Sequence, residues 1–198
     1  MTRLCSQQFD SPVGPLVAIV VERDGYEALA ALEFSDRPRL EREEGELRAA
    51  TGADVEPARV PLHDEVERQV AAYFAGGLRD FSLPLETPGT PFQQTVWRAL
   101  RDIPYGATCS YGQLAERIGS PGSQRAVGAA NGANRVAIVV PCHRVIESGG
   151  GLRGYGGGLE RKRFLLQLEG AWPTHATLFD ADSQSATPAR GTSTEPRA

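Results

Sequence analysis

Five residues near the middle of the chain, Thr87-Pro88-Gly89-Thr90-Pro91, most constrain what it can fold into. No helix or strand runs through them, because proline fixes φ and lacks an N–H, and glycine brings no side chain to pack. The chain has 198 residues, a length that suits one large domain or two small ones sharing an interface. The breaker cluster places the boundary: residues 1–87 are one expected domain and residues 88–175 a second. Residues 176–198 are Thr, Ser, Ala, Pro and charge with little to bury, and are expected to be a disordered tail.

Charge divides at the same place. Residues 1–84 carry a net charge of −7, and residues 85–175 a net of +4. An anionic partner would therefore meet the second half, although a chance fluctuation of surface charge gives the same asymmetry. Lys162 is the only lysine, so nearly all positive charge is arginine. Arginine suits bidentate contacts to phosphates and bases; compositional bias produces the same skew.

The first half reads as a hairpin followed by helices. Ser11-Pro12-Val13-Gly14-Pro15 is a turn cluster, Leu16–Val21 a β-branched strand, Asp24-Gly25 a hairpin turn, and Ala28–Phe34 the returning strand. Arg39–Ala50 is a weakly amphipathic helix, and Leu62–Phe74 a stronger one ended by Gly76-Gly77. The second half reads as mostly helical. Phe92–Arg101 has Phe92, Val96, Trp97 and Leu100 on one face. Ser110 caps a helix from Tyr111 to about Arg117, and Ser123 one from Gln124 to about Asn131. Between them lies Gly119-Ser120-Pro121-Gly122, giving a helix-turn-helix outline that also occurs in proteins that bind no DNA. The second of these helices, with Ala126, Gly128, Ala129 and Ala130, is nearly bare and packs close to whatever it faces. Val136–Val140 reads as a strand, Ser148–Gly158 as a glycine-rich loop around Tyr155, and Glu160–Glu169 as a closing helix with Phe164, Leu165 and Leu168 inward.

The chemistry concentrates at Cys142-His143. A thiol attacks as the thiolate, which forms near a base, a cation or helix amides. His143 is the candidate base, Arg144 an adjacent cation, and Glu169 or Glu147 the carboxylate that could orient the imidazole. Asn134 could pin the turn before the strand. The plain alternative is a buried cysteine beside a surface histidine. Cys5 and Cys109 lack such company and read as inert. An odd, scattered cysteine set argues against a disulfide framework and for a reducing compartment. His63, His143 and His175 form no ligand spacing with the cysteines, so no metal is expected. No apolar run reaches spanning length and no long apolar signal segment follows Met1, so a cytoplasmic protein is expected.

Pro141-Cys142-His143-Arg144-Val145-Ile146 resembles the active-site motif of the O6-alkylguanine-DNA alkyltransferases, the methylated-DNA–protein-cysteine methyltransferases. Ile103-Pro104-Tyr105-Gly106, Ser110-Tyr111-Gly112-Gln113-Leu114-Ala115, Arg125-Ala126-Val127-Gly128, Asn134 and Gly154-Tyr155-Gly156-Gly157-Gly158 follow the same order at similar spacing. Lys162, Leu165-Leu166 and Glu169-Gly170 extend the match. The resemblance covers residues 88–172 strongly. Ser11-to-Leu16 and Ala31-to-Phe34 carry it weakly into the first half, as in a bacterial short form.

The resemblance implies an α+β fold: a small ribonuclease-H-like α/β domain, then a mostly helical, winged helix-turn-helix-like domain carrying the cysteine. It implies a monomer that binds duplex DNA, extrudes an alkylated guanine and moves the alkyl group irreversibly from O6 to Cys142, once per molecule and without a cofactor. O4-alkylthymine is a second candidate substrate. By the same resemblance His143 relays the proton through a water, Glu169 orients the imidazole, Asn134 pins the turn, and Tyr111 assists the leaving guanine. The Cys142 and Val145 carbonyls would accept from the guanine amino group, the Gly156 amide would donate to O6, and Tyr155 would wall the alkyl pocket. Arg125 would fill the vacated stack, with Ala126, Gly128 and Ala129 in the minor groove and Ser110 and Ser148 also on the DNA. Gly156 stands where some relatives carry a bulkier residue, so a wider pocket is expected. Three rivals remain open: a DNA-binding regulator with a vestigial site, a cysteine hydrolase using Cys142, His143 and Glu169, and an interaction module.

Overall fold

The protein is described by a computed structural model over residues 1–172. The expected tail, 176–198, lies outside the described residues. The fold is mixed α/β. β1 (Thr2–Phe9), β2 (Leu16–Arg23) and β3 (Tyr26–Phe34) form an antiparallel meander. The β2–β3 turn has Asp24 at φ 52° and Gly25 at φ 81°, the two left-handed positions that an Asp-Gly hairpin supplies. α1 (Arg39–Thr51) leads to β4 (Val55–Pro57), which pairs parallel to β1 and completes the order β3-β2-β1-β4. α2 (Pro61–Phe74) follows.

β2 is buried on both faces. Leu16, Ala18 and Val20 join one core with Val66, Val70 and Tyr73 of α2, while Val17, Ile19 and Val21 join another with Leu47 of α1. Period-two alternation thus feeds two cores, and each fully buried aliphatic side chain contributes about 1.5–3 kcal/mol. The first of these cores continues without a break into Val96, Leu100, Leu114 and Val127 of the second half.

α3 (Pro91–Arg101) starts in a capping box: the Thr90 hydroxyl accepts from Gln93 N and the Gln93 side chain accepts from Thr90 N. Its Trp97 Nε1 donates to Ala130 O at 2.8 Å, locking it to a later helix. β5 (Cys109–Ser110) enters α4 (Tyr111–Arg117), which Ser110 caps as expected, in a second capping box with Gln113. α5 (Gln124–Gly132) follows a turn in which Gly119 and Gly122 take φ of 72° and 83°, strained for other residues. Ser123 does not cap α5 with its side chain; its hydroxyl donates instead to Ser120 O at 2.6 Å. β6 (Val145–Ile146) pairs parallel to β5, and α6 (Leu159–Leu168) closes the described chain. Phe164, expected inward, is 40% exposed, and the buried pair is Leu165 and Leu166.

Val136–Val140 is not a strand. Beyond a single bridge from Val136 to Leu32 it turns on itself, with Val140 N donating to Val136 O at 2.9 Å and Ile138 at φ 71°. The apolar run is buried because it plugs the core, which mimics the composition of a strand. The bridge matters for function. β3 is the sheet edge, and its Leu32 donates to Arg135 O and accepts from Ala137 N. That pairing fixes the chain before the cysteine against the first half.

Candidate active site

Cys142–Arg144 form one 3-10 turn after Pro141. Asn134 holds this turn from below. Its Nδ2 lies within hydrogen-bond distance of Val140 O (2.9 Å), Val136 O (3.4 Å) and Cys142 Sγ (3.1 Å), and its Oδ1 accepts from Val136 N at 3.1 Å. Asn131, also buried, donates to Cys142 O at 3.4 Å. Burial pushes the Cys142 thiol up to about 11, against the pull of the Asn134 hydrogen bond. At neutral pH the resting sulfur is therefore a thiol.

His143 is fully buried, so the alternative of a surface histidine is overturned. Its Nε2 lies 2.9 Å from Glu169 Oε1, and its Nδ1 has no partner among the described residues. Burial pushes the imidazole below its ordinary range while Glu169 pulls it up; the net is a neutral ring able to take a proton. Of the two carboxylates left open by sequence, Glu169 is the one in place. Glu147 instead pairs with Arg153 at 3.0 Å.

Glu169 is surrounded by donors. Oε1 accepts from Tyr73 Oη (2.7 Å) and Arg144 Nη2 (3.0 Å) as well as meeting His143; Oε2 accepts from Arg144 Nε (2.9 Å) and Gly106 N (3.3 Å). Burial opposes its charge, but His143 and Arg144 outweigh that and hold the carboxyl at about 2. Arg144 is thus spent on Glu169 and on Ile103 O, and is not the cation beside the sulfur. The cations acting on Cys142 are Arg39 and Lys162. Lys162 is buried, donates to Val145 O (2.6 Å) and Arg153 O (3.0 Å), and is pushed down to about 8 by burial.

A cavity of about 210 Å³ opens on Cys142. Tyr111, Asn134, Tyr155, Gly156 and Gly128 line it, as do Glu33 and Arg39 from the first half. His143 and Glu169 lie behind the sulfur and do not line it. Burial pushes the Tyr111 and Tyr155 phenols up, so both are neutral donors, and the Tyr155 hydroxyl has no partner. Tyr111 Oη approaches Arg153 O at 3.4 Å. Val145 lies outside the cavity lining, and its carbonyl already accepts from Lys162. Arg125, Ala126 and Ala129 form the exposed face of α5, and Arg125 has no partner among the described residues. Ser110 is half-buried at the α4 start, and Ser148 is exposed after β6. Among the described residues no group of three His, Cys, Asp or Glu is placed to hold a metal ion, and no helix is long and apolar enough to cross a membrane.

Sequence reasoning missed Tyr73, the bidentate use of Arg144, Asn131, and the pair Glu33 and Arg39. A tyrosine 96 residues from its carboxylate leaves no local signal.

The chain is similar to known proteins in sequence and in fold. Residues 91–171 match the family described as 6-O-methylguanine DNA methyltransferase, DNA binding domain. A methylated-DNA–protein-cysteine methyltransferase of Mycobacterium leprae is 46% identical over 182 residues, covering 88% of this chain and 98% of its own length. That of Mycolicibacterium paratuberculosis is 60% identical over 113 residues, 57% of this chain and 68% of its own. A crystal structure of Mycobacterium tuberculosis OGT in complex with DNA superimposes with a TM-score of 0.68 at 43% identity, covering 87% of this chain and 96% of that one.

Proposed function

This chain belongs to the methylated-DNA–protein-cysteine methyltransferase family, which repairs DNA by moving an alkyl group to a cysteine, and on that premise we propose that Cys142 is the acceptor. The observation that carries the assignment is Cys142 Sγ on a nucleobase-sized cavity, with Asn134 at 3.1 Å and a buried His143–Glu169 pair behind it.

Cys142 is buried at the floor of a cavity and cannot reach a base held in the stack, so the damaged base first leaves the stack at a cost of a few kcal/mol. The thiol proton passes through a water to His143, and Glu169 stabilises the imidazolium. The thiolate attacks the alkyl carbon, the C–O6 bond breaks, and its electron pair stays on the guanine. Tyr111 meets that charge with a proton, and the imidazolium proton returns through solvent to the phenolate. Guanine and an S-alkylcysteine result. Regenerating the thiol would need a nucleophile to take the alkyl group from a neutral thioether with thiolate as the leaving group, a slow displacement, so each molecule acts once. No step of this reaction calls for a cofactor.

The guanine amino group donates to the Cys142 and Val145 carbonyls; Lys162 occupies only one lone pair of the latter. The Gly156 amide donates to O6, and Tyr155 walls the alkyl group. We read residues 88–175 as the DNA-binding and catalytic domain, with α4 and α5 as a winged helix-turn-helix-like unit, and residues 1–87 as a ribonuclease-H-like domain. The bare face Ala126, Gly128 and Ala129 lies in the minor groove, where a larger side chain would hold the backbone off. Arg125, unpartnered, fills the vacated stack, and Ser110 and Ser148 meet phosphates. The protein acts as a monomer on duplex DNA carrying O6-alkylguanine.

The test is intact-protein mass after incubation with excess duplex carrying one O6-methylguanine. Wild type gains one methyl group and no more, and Cys142→Ser gains none. Repeated turnover, or uptake by the variant, would reject the assignment.

A further inference from the structure

Glu33 and Arg39 of the first half line the acceptor cavity, and Glu43 is buried behind them, paired with Arg39. Glu33, next to last in β3, is 2% exposed, and Glu43 of α1 is 1% exposed. Arg39, the first residue of α1, pairs through Nε with Glu43 and lies 3.7 Å from Glu33 Oε1. Its two terminal nitrogens donate to Gly132 O and Asn134 O, the backbone of the residue whose side chain touches Cys142 Sγ. Glu33 Oε2 and Glu43 Oε2 have no partner among the described residues. One guanidinium does not neutralise two buried carboxylates, and an uncompensated buried charge is costly.

Resting on the acceptor assignment above, we propose that Glu33, Arg39 and Glu43 form a charge cluster that sets how readily Cys142 becomes a thiolate. Arg39 positions Asn134 and favours negative charge on the sulfur. A protonated Glu33 leaves the cluster neutral. An ionised Glu33 makes it net negative, on the same cavity as the sulfur, and opposes thiolate formation. Glu33 is thus a positioning residue, acting through the field and through Arg39. His143 and Glu169 take the proton; the cluster decides how firmly the sulfur holds it.

The surroundings agree. The groups facing Glu33 are Arg39 and Glu43 from α1, Arg161 from α6, the Cys142 thiol and the Tyr155 phenol. Arg161 is committed to Asp36 at 2.9 Å, and Arg42 and Arg135, which face Glu43, are both paired with Glu46. The groups facing Cys142 are Glu33, Arg39, Lys162, Tyr111 and Tyr155. Burial, with the Glu43 charge beside it, pushes the Glu33 carboxyl well above the ordinary carboxylate range.

The experiment measures alkylation of Cys142 by iodoacetamide from neutral to strongly alkaline pH, with peptide mass separating it from Cys5 and Cys109. In Glu33→Gln the charge is gone and the shape is kept. The midpoint of Cys142 reactivity is expected to fall by about one pH unit relative to wild type. If Glu33→Gln does not fold, Glu43→Gln removes the other negative charge and carries the same expectation. An unchanged or raised midpoint in a folded variant overturns the proposal. Methyl uptake by wild type from an O6-methylguanine duplex, run in parallel, keeps the two readings apart. Its absence rejects the acceptor assignment, whereas uptake with an unmoved midpoint rejects the cluster alone.

Discussion

Replacing Glu169 by glutamine reaches both the fold and the chemistry. The carboxylate meets five donor groups on two oxygens, and its side chain is 0% exposed. An amide has one oxygen. Whichever way the new amide turns, its NH2 faces an Arg144 nitrogen, and the Arg144 guanidinium, 5% exposed, loses its counter-charge. Two routes give the magnitude. Breaking a buried ion pair from one side costs about 3–5 kcal/mol. The carboxyl is held at about 2 against an ordinary 4.5, a difference of about 3 kcal/mol. The sign follows from the direction: a depressed carboxyl contributes stability that is complete above pH 4.5 and lost as pH falls towards 2. Glu169→Gln should therefore lower stability at pH 7 by about 3–5 kcal/mol, or Tm by roughly 6–20 °C. It should also flatten the acid limb of the stability curve by a similar amount. Methyl transfer should slow roughly 10²–10⁴-fold as the imidazole loses its orienting charge. Urea unfolding at neutral and acid pH measures the first two, and single-turnover uptake the third. A variant within about 1 kcal/mol of wild type with the same acid limb would refute the reasoning.

Arg125→Ala should leave attack on a free O6-alkylguanine base nearly intact and slow repair in duplex DNA, because only extrusion loses support; equal losses on both substrates would sink the stack-filling role. Asn134→Ala removes the side chain that pins Val136, Val140 and Cys142, and should cost about 2–4 kcal/mol by urea unfolding. A Cβ on Gly156 would lie 2.7 Å from Arg39 Nη1. Arg39 is anchored at Gly132 and Asn134, so Gly156→Ala should crowd the cavity and slow transfer of benzyl-sized groups about tenfold more than methyl. Equal effects on both groups, read by intact mass, would reject the crowding argument.

Most helices were legible because their signals are local: apolar residues at helical spacing, Ser110 as a cap, glycine in the turns. The Asp24-Gly25 hairpin was legible for the same reason. β1 was not, since Arg3, Ser6, Gln7 and Gln8 break the alternation and only Leu4 and Cys5 are buried. Val136–Val140 misled because a buried plug and a buried strand share one composition. At the site, Cys142, His143 and Glu169 were found through their motif. Glu33 and Arg39 were not, because a lone carboxylate near the end of a strand and an arginine at the start of a strongly charged helix both read as solvated surface. The Leu32–Val136 bridge and the Arg39 contacts to Gly132 O and Asn134 O bring these residues to the cysteine, and none of them has a local signal.

The most direct measurement of the central claim locates the alkyl group. Wild-type protein is reacted with one equivalent of O6-methylguanine duplex, digested, and its cysteine peptides read by tandem mass spectrometry. The account predicts methyl on Cys142 alone, with Cys5 and Cys109 unmodified. Methyl on another residue, or none on Cys142 after the lesion has been consumed, would contradict it.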